Sequence, residues 1–320
     1  MVEPVSTGLA VVTDALSGLP EPVKTSFFKA MSDLLGGLTA VPAAKLKQWA
    51  QGIEDETTAK SMMSAVVAKA AAEGVANDPI LMQAAAEVLL PASVRKARNR
   101  LNVAQSAAER LAETVQTGGG GEGAAPPDED WMNSFARFAE DASSERLQGL
   151  FGRILAGQIV RPGAFGLATL RVVSELDQAL ASDFSLAWAK SVGQDVDYSS
   201  EWRRGEYFSR WKRLSDAGLM APTDIGQFPP SSDQMGGNHL PWIPMAAGSV
   251  MMMAHFQQGA TSPWMHIEFT RIGRELGSLL EAPDYEANIR RAAQHFPKGG
   301  LTRIELYVAG APAEVIWQAG

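Results

Sequence analysis

The sequence predicts a mostly α protein, with an N-terminal helical region, a central helical core and a C-terminal winged-helix-like α+β part. Three observations carry that expectation. Apolar residues recur at three-to-four spacing through most of residues 1–192, the period of a buried helix face. One Gly/Pro-rich run, Gly118 to Pro127, interrupts that pattern. Beyond Glu201 the pattern changes, and short apolar runs of strand length appear between turn residues.

At 320 residues and 46% hydrophobic composition the chain exceeds what one typical core supports, so several packed units are expected. The division read from the sequence is a helical region over 1–117, a Gly/Pro-rich flexible linker over 118–130, a helical core over 131–192 and a winged-helix-like α+β domain over 193–320.

In chain order, Phe27, Phe28, Met31, Leu34, Leu35 and Leu38 form an amphipathic stripe between Pro20/Pro22 and Pro42. A second helix is expected from Ala43, and a third, alanine-rich one from Asp55 to about Glu73. Asn77-Asp78-Pro79 starts another, and Pro91 is expected to break the chain before a helix over Ser93 to Thr114. Glycines 118–121 and the prolines after them bury too little side chain to offset their ordering entropy, which predicts a linker. Asp128-Glu129-Asp130 then opens a helix with Trp131, Phe135, Phe138 and Ala142 on one face. Ser143 or Ser144 caps the next, whose face is Leu147, Leu150, Phe151, Ile154 and Leu155. Leu167 to Leu176 and Leu180 to Trp188 continue the period as one broken helix or two.

A helix carrying Trp202, Tyr207, Phe208, Trp211 and Leu214 is expected to stop at Asp216-Ala217-Gly218-Leu219-Met220 and feed a strand, in the manner of a winged helix. Residues 222–248 read as a long loop or wing. Met251 to Phe256, Met265 to Thr270, Ile304 to Val308 and Val315 to Trp317 read as strands, with helices from Thr270 and over Tyr285 to His295.

Composition narrows the function classes. A net charge of −8 disfavours a broad nucleic-acid footprint, which depends on clustered Lys and Arg. Absence of cysteine removes disulfides, thiolate nucleophiles and Cys-ligated metal, and makes the cytoplasm the simplest expectation. Met1-Val2-Glu3-Pro4 lacks the basic start of a secretory signal, and no window reaches the roughly 20 apolar residues of a membrane span.

The chemistry-bearing residues form no catalytic constellation. The four histidines, His239, His255, His266 and His295, lack a metal-ligand spacing, and no nucleophile elbow occurs. No catalytic residue, metal or cofactor is therefore expected. The best interaction surface is the basic-aromatic run of Arg203, Arg204, Tyr207, Arg210, Lys212 and Arg213, where rings and cations alternate. At helical spacing the same rings make a core stripe flanked by solvated cations. Arg95, Lys96, Arg98 and Arg100 make a second basic run, suited to an acidic partner or an anionic surface. Met245, Met251 to Met253 and Met265 suit either a core or an adaptable groove.

Trp131/Phe135, Ile154-Leu155-Ala156-Gly157-Gln158-Ile159, Arg161-Pro162-Gly163 and Thr169-Leu170-Arg171 together resemble the bacterial family of unknown function numbered 2806. Arg95 to Leu111 and Phe269 to Leu276 also fit that family, extending the resemblance over most of residues 93–280. Gln158 stands where the pattern has an acid. The layout is distantly similar to the abortive-infection alpha family, which implies a role in bacterial or prophage conflict. The first expectation is thus a non-enzymatic interaction or sensor protein with a protein partner. A second is a membrane-active effector acting through Val23 to Leu38 and Ala43 to Ile53, and a third is a nucleic-acid-binding regulator using the winged-helix-like part. Self-association is open.

Overall fold

The computed structural model describes residues 18–35, 79–116, 123–198, 201–230, 241–257 and 262–320. The helices expected from Ala43 and over Asp55 to Glu73, and the loop histidine His239, lie outside them. Among the described residues there are nine helices and two four-stranded antiparallel sheets, so the fold is mixed α+β.

The chain divides into two compact units, Met1–Glu175 and Leu176–Gly320. The boundary therefore falls between Glu175 and Leu176, and the segment read as a linker between units lies inside the first. The helix before it packs against the two helices after it, and Ala125 at its exit donates its N–H to the Ile159 carbonyl at 3.2 Å.

The first unit is helical: α1 (Glu21–Leu34), α2 (Pro79–Gln116), α3 (Glu129–Asp141), α4 (Glu145–Val160) and α5 (Leu167–Ser174). In α1, Val23, Phe27, Ala30, Met31 and Leu34 form the buried stripe. α2 is one helix of 38 residues, and Pro91 does not break it. A proline inside a helix forfeits one backbone hydrogen bond, and the helix that follows packs on α3 and α4, with Val103, Ala107 and Leu111 fully buried.

Local capping fixes where α3 and α4 begin. The Asp128 carboxylate accepts from the backbone N–H groups of Asp130 and Trp131 at 3.0 and 3.2 Å, and Ser144 Oγ accepts from Leu147 at 3.3 Å. Trp131 stacks on Phe135, Phe135 meets Phe151 edge-on, and the Trp131 indole donates to the Phe165 carbonyl at 2.8 Å. Gln158, buried, accepts from the Phe165 N–H at 3.0 Å. Its carboxamide ties the turn after α4 back to that helix, a task that needs no charge.

The second unit starts with α6 (Gln178–Ala189), capped by Asp177, whose carboxylate accepts from Leu180 at 2.7 Å. Leu167 to Trp188 is thus two helices. The strands β1 (Ser191–Val192), β2 (Asp195–Asp197), β3 (Ile225–Gln227) and β6 (Trp264–Glu268) form one sheet in the order β1-β2-β6-β3. The second sheet has the order β4-β5-β7-β8, from β4 (Trp242–Ala247), β5 (Val250–Phe256), β7 (Leu301–Val308) and β8 (Glu314–Gln318). Between strands lie α7 (Gly205–Asp216), α8 (Arg271–Gly277) and α9 (Tyr285–His295).

α9 lays Ile289, Ala292 and Ala293 on the second sheet, whose core includes Trp242, Met245, Met252, Ile304 and Leu306. Period-two alternation on β5 buries Val250, Met252 and Ala254 and leaves Met251 and Met253 half-buried. Met245 and Met252 thus fill core. α7 ends as its sequence suggests: Gly218 takes φ of 73°, Leu219 donates back to Leu214, and Met220 bridges Phe269. Residues 222–248, read as a long loop or wing, contain β3 and β4 in their described part.

Candidate functional site

The basic-aromatic run sorts into buried rings and paired cations. Trp202, in the turn before α7, and Trp211 are buried, and the Trp211 indole donates to the Ala221 carbonyl at 2.8 Å. Arg213 reaches the buried Asp183 of α6 through Nε at 2.8 Å, and Arg210 Nε lies 3.1 Å from the same carboxylate. Arg210 also bonds Glu206, and Lys212 pairs with Asp216 at 2.7 Å. The Arg203 guanidinium sits over Tyr198 at 5.0 Å, and Arg210 lies over Tyr207 at 5.3 Å. Arg204 is exposed at the N-cap of α7. Much of the positive charge on α7 is therefore matched by carboxylates of this unit.

The earlier basic run behaves similarly. Lys96 donates to Glu140 at 2.6 Å, Arg100 bonds the other oxygen of the same carboxylate, and Arg95 and Arg98 are exposed. Burial pushes the Glu140 carboxyl up, but the bonds and charges of Lys96 and Arg100 outweigh it and hold the group below its ordinary range.

Beside these charged groups, α7 and β3 also present apolar side chains outward. Phe208 on α7 is 43% exposed, Ile225 in β3 is 40% exposed and Phe228 just past β3 is 61% exposed. Among the described residues β3 stands at the end of its sheet, paired with β6 alone, which leaves a row of backbone groups facing away from the ladder.

A second group of side chains lies on β2 and β6. The register sets Asp195 opposite Glu268 and Asp197 opposite His266. Alternation then brings Asp195, His266 and Glu268 together, with one ligand atom from each within 4.8 Å of the others. His266 Nε2 lies 3.8 Å from Asp195 and 3.8 Å from Glu268, too far for a hydrogen bond to either. Its ring stacks on Trp264 at 4.5 Å, and the Trp264 indole donates to Asp197 at 2.9 Å. Burial pushes the Asp195 carboxyl up to about 6; His266 pulls against that, and the Glu268 charge raises it further. Burial also carries Asp197 to about 6, against the indole hydrogen bond. Spacing along the sequence does not reveal this group, because its members come from two strands paired across the fold.

Taken together these features define a mixed α+β protein with a helical first unit and two antiparallel sheets in the second. Residues 94–203 match the family described as Protein of unknown function (DUF2806). The match contains the Trp131 to Leu176 motifs and ends before the Phe269 to Leu276 element. No curated protein and no solved structure matches the chain.

Proposed function

We propose that this is a non-enzymatic interaction or sensor protein whose α7–β3 surface receives a protein partner. The observation that carries the reading is the outward placement of Phe208, Ile225 and Phe228, three of the six large apolar side chains exposed among the described residues. An end strand with Phe228 exposed beside it suits an added strand or loop of a partner, with backbone bonds for affinity and apolar side chains for specificity. The setting proposed is the bacterial cytoplasm, in bacterial or prophage conflict; that part rests on the layout resemblance and the cysteine-free composition.

The test is capture by full-length tagged protein from phage-infected and uninfected bacterial cells, comparing wild type with the Phe208→Ser/Phe228→Ser double variant. The reading expects a defined protein captured by wild type and lost from a double variant of unchanged melting temperature. Identical capture by both, or no captured protein, overturns it.

One observation favours a second reading, a nucleic-acid-binding regulator. It is supported by α7 preceding β3, which pairs with β6 beside β2, although β4 and β5 of the other sheet intervene in the chain between β3 and β6. That reading expects salt-dependent binding lost when Arg203, Arg204, Arg210 and Arg213 are neutralised together. The carboxylates already paired with Arg210, Lys212 and Arg213 weigh against it. For the membrane-effector reading, the apolar stripe of α1 is already buried in the first unit and needs release before it meets lipid. Among the described residues no helix is long and apolar enough to cross a membrane.

A further inference from the structure

We infer that Asp195, His266 and Glu268 form a binding site for one divalent transition-metal ion, Zn²⁺ or Mn²⁺. The donor set is one imidazole nitrogen and two carboxylate oxygens. That set suits Zn²⁺ or Mn²⁺ better than the thiolate-seeking metals, and the chain has no thiolate to compete.

Three features converge on this group. The first is the register: Asp195 and Glu268 are direct cross-strand partners, and like charges in that relation repel unless a cation lies between them. The second is His266, a residue only 5% exposed whose Nε2 is aimed at both carboxylates without bonding either. Its Nδ1 is buried and has no hydrogen-bond partner. A buried imidazole ordinarily satisfies at least one nitrogen, and coordination through Nε2 would give this ring one partner while Nδ1 stays unpaired. Stacking on Trp264 fixes the ring plane in place of the usual hydrogen bond to the far nitrogen.

The third feature is distance. Ligands about 2.1 Å from an ion lie at most about 4.2 Å apart, so both 3.8 Å gaps from Nε2 already admit an ion. The widest separation in the group, up to 4.8 Å, closes by a rotation of Glu268, whose side chain is half exposed. Arg274 lies near enough to act on the Asp195 charge, but its guanidinium bonds the Phe269 carbonyl at 2.8 Å and contributes no ligand. With three protein ligands and an exposed side at Glu268, the remaining coordination positions fall to water.

The experiment uses the full chain after chelator treatment and dialysis. Mn²⁺ binding is counted by the loss of its free-ion paramagnetic signal, and Zn²⁺ binding by calorimetry. One equivalent bound by wild type is expected, with a rise in melting temperature on metal addition. Glu268→Gln and Asp195→Asn should each weaken binding about tenfold or more. Because Glu268 is exposed, its amide variant keeps the fold, and its metal-free melting temperature serves as the control. Absence of stoichiometric binding by wild type overturns the site, as does unchanged affinity in both variants.

Discussion

Asp183, buried on α6, takes the Nε–H of Arg213 at 2.8 Å while Arg210 stands 3.1 Å from its other oxygen. One carboxylate thereby joins α6 to α7 and neutralises two of the cations that made α7 look like an anion-binding helix. Removing the acid leaves Arg213 without its anion and takes from Arg210, largely shielded from water, one of its two carboxylates, Glu206 remaining. Asp183→Ala should lower unfolding free energy by about 1–3 kcal/mol in urea, below the cost of breaking a fully buried pair because Arg213 is half exposed. Arg213→Ala should cost less, since Arg210 still faces the carboxylate. Equal losses in the two variants would contradict this ranking.

In the first unit the buried Gln148 carboxamide does comparable work without charge. Its Nε2 donates to Asn99 Oδ1 at 3.2 Å and to the Ala142 carbonyl at 2.8 Å, while its Oε1 accepts from Asn102 at 3.1 Å. Asn99 in turn donates to the Glu140 carbonyl at 2.8 Å. Gln148→Leu keeps the volume and strands these partners, so a loss of about 2–3 kcal/mol is expected. Chemical denaturation of both proteins measures it, and a neutral result would mean that water replaces the amide.

These two networks mark where sequence reading stops. Helix starts at Asp128 and Ser144 were legible because the cap and the N–H it accepts lie within three residues. The paired strands β7 and β8 were legible as apolar runs. Which strand pairs with β2 was not: Asp197 and Trp264 are 67 positions apart, and no local pattern encodes that meeting or joins His266 to Asp195 and Glu268. The cations of α7 were visible, but Asp183 lies on another helix, and only the fold assigns it to them. Pro91 misled because a breaker rule weighs one residue's backbone, whereas the helix through it is held by tertiary packing further along.

Acid should weaken the tie between α2 and α3. Lys96 and Arg100 hold the Glu140 carboxyl below its ordinary value, despite burial pushing it up, so the folded state binds this proton less readily than the unfolded chain. The contribution of Glu140 is then fully present above the ordinary carboxyl pKa of about 4.3 and is lost as pH falls through the lower folded value. Urea midpoints of wild type and Glu140→Gln should therefore differ at neutral pH and converge in acid. A gap that stays constant across that range would show that the ion pairs add nothing.

Gly152 and Gly149, three residues apart on α4, should respond oppositely to alanine. A Cβ at Gly152 would stand 2.4 Å from Ser106 Cβ and 2.9 Å from the Ala107 backbone nitrogen, inside the contact with α2. Neither neighbour is a flexible side-chain end, so the two helices would have to part, and Gly152→Ala should cost about 1–3 kcal/mol. At Gly149 an added Cβ meets nothing within 4 Å. There alanine removes only the conformational freedom of glycine in the unfolded chain and should stabilise by about 0.5–1 kcal/mol. Melting temperatures of the two variants should thus move to opposite sides of wild type. If both rise, α4 and α2 are not in the close contact that the Gly152 surface permits.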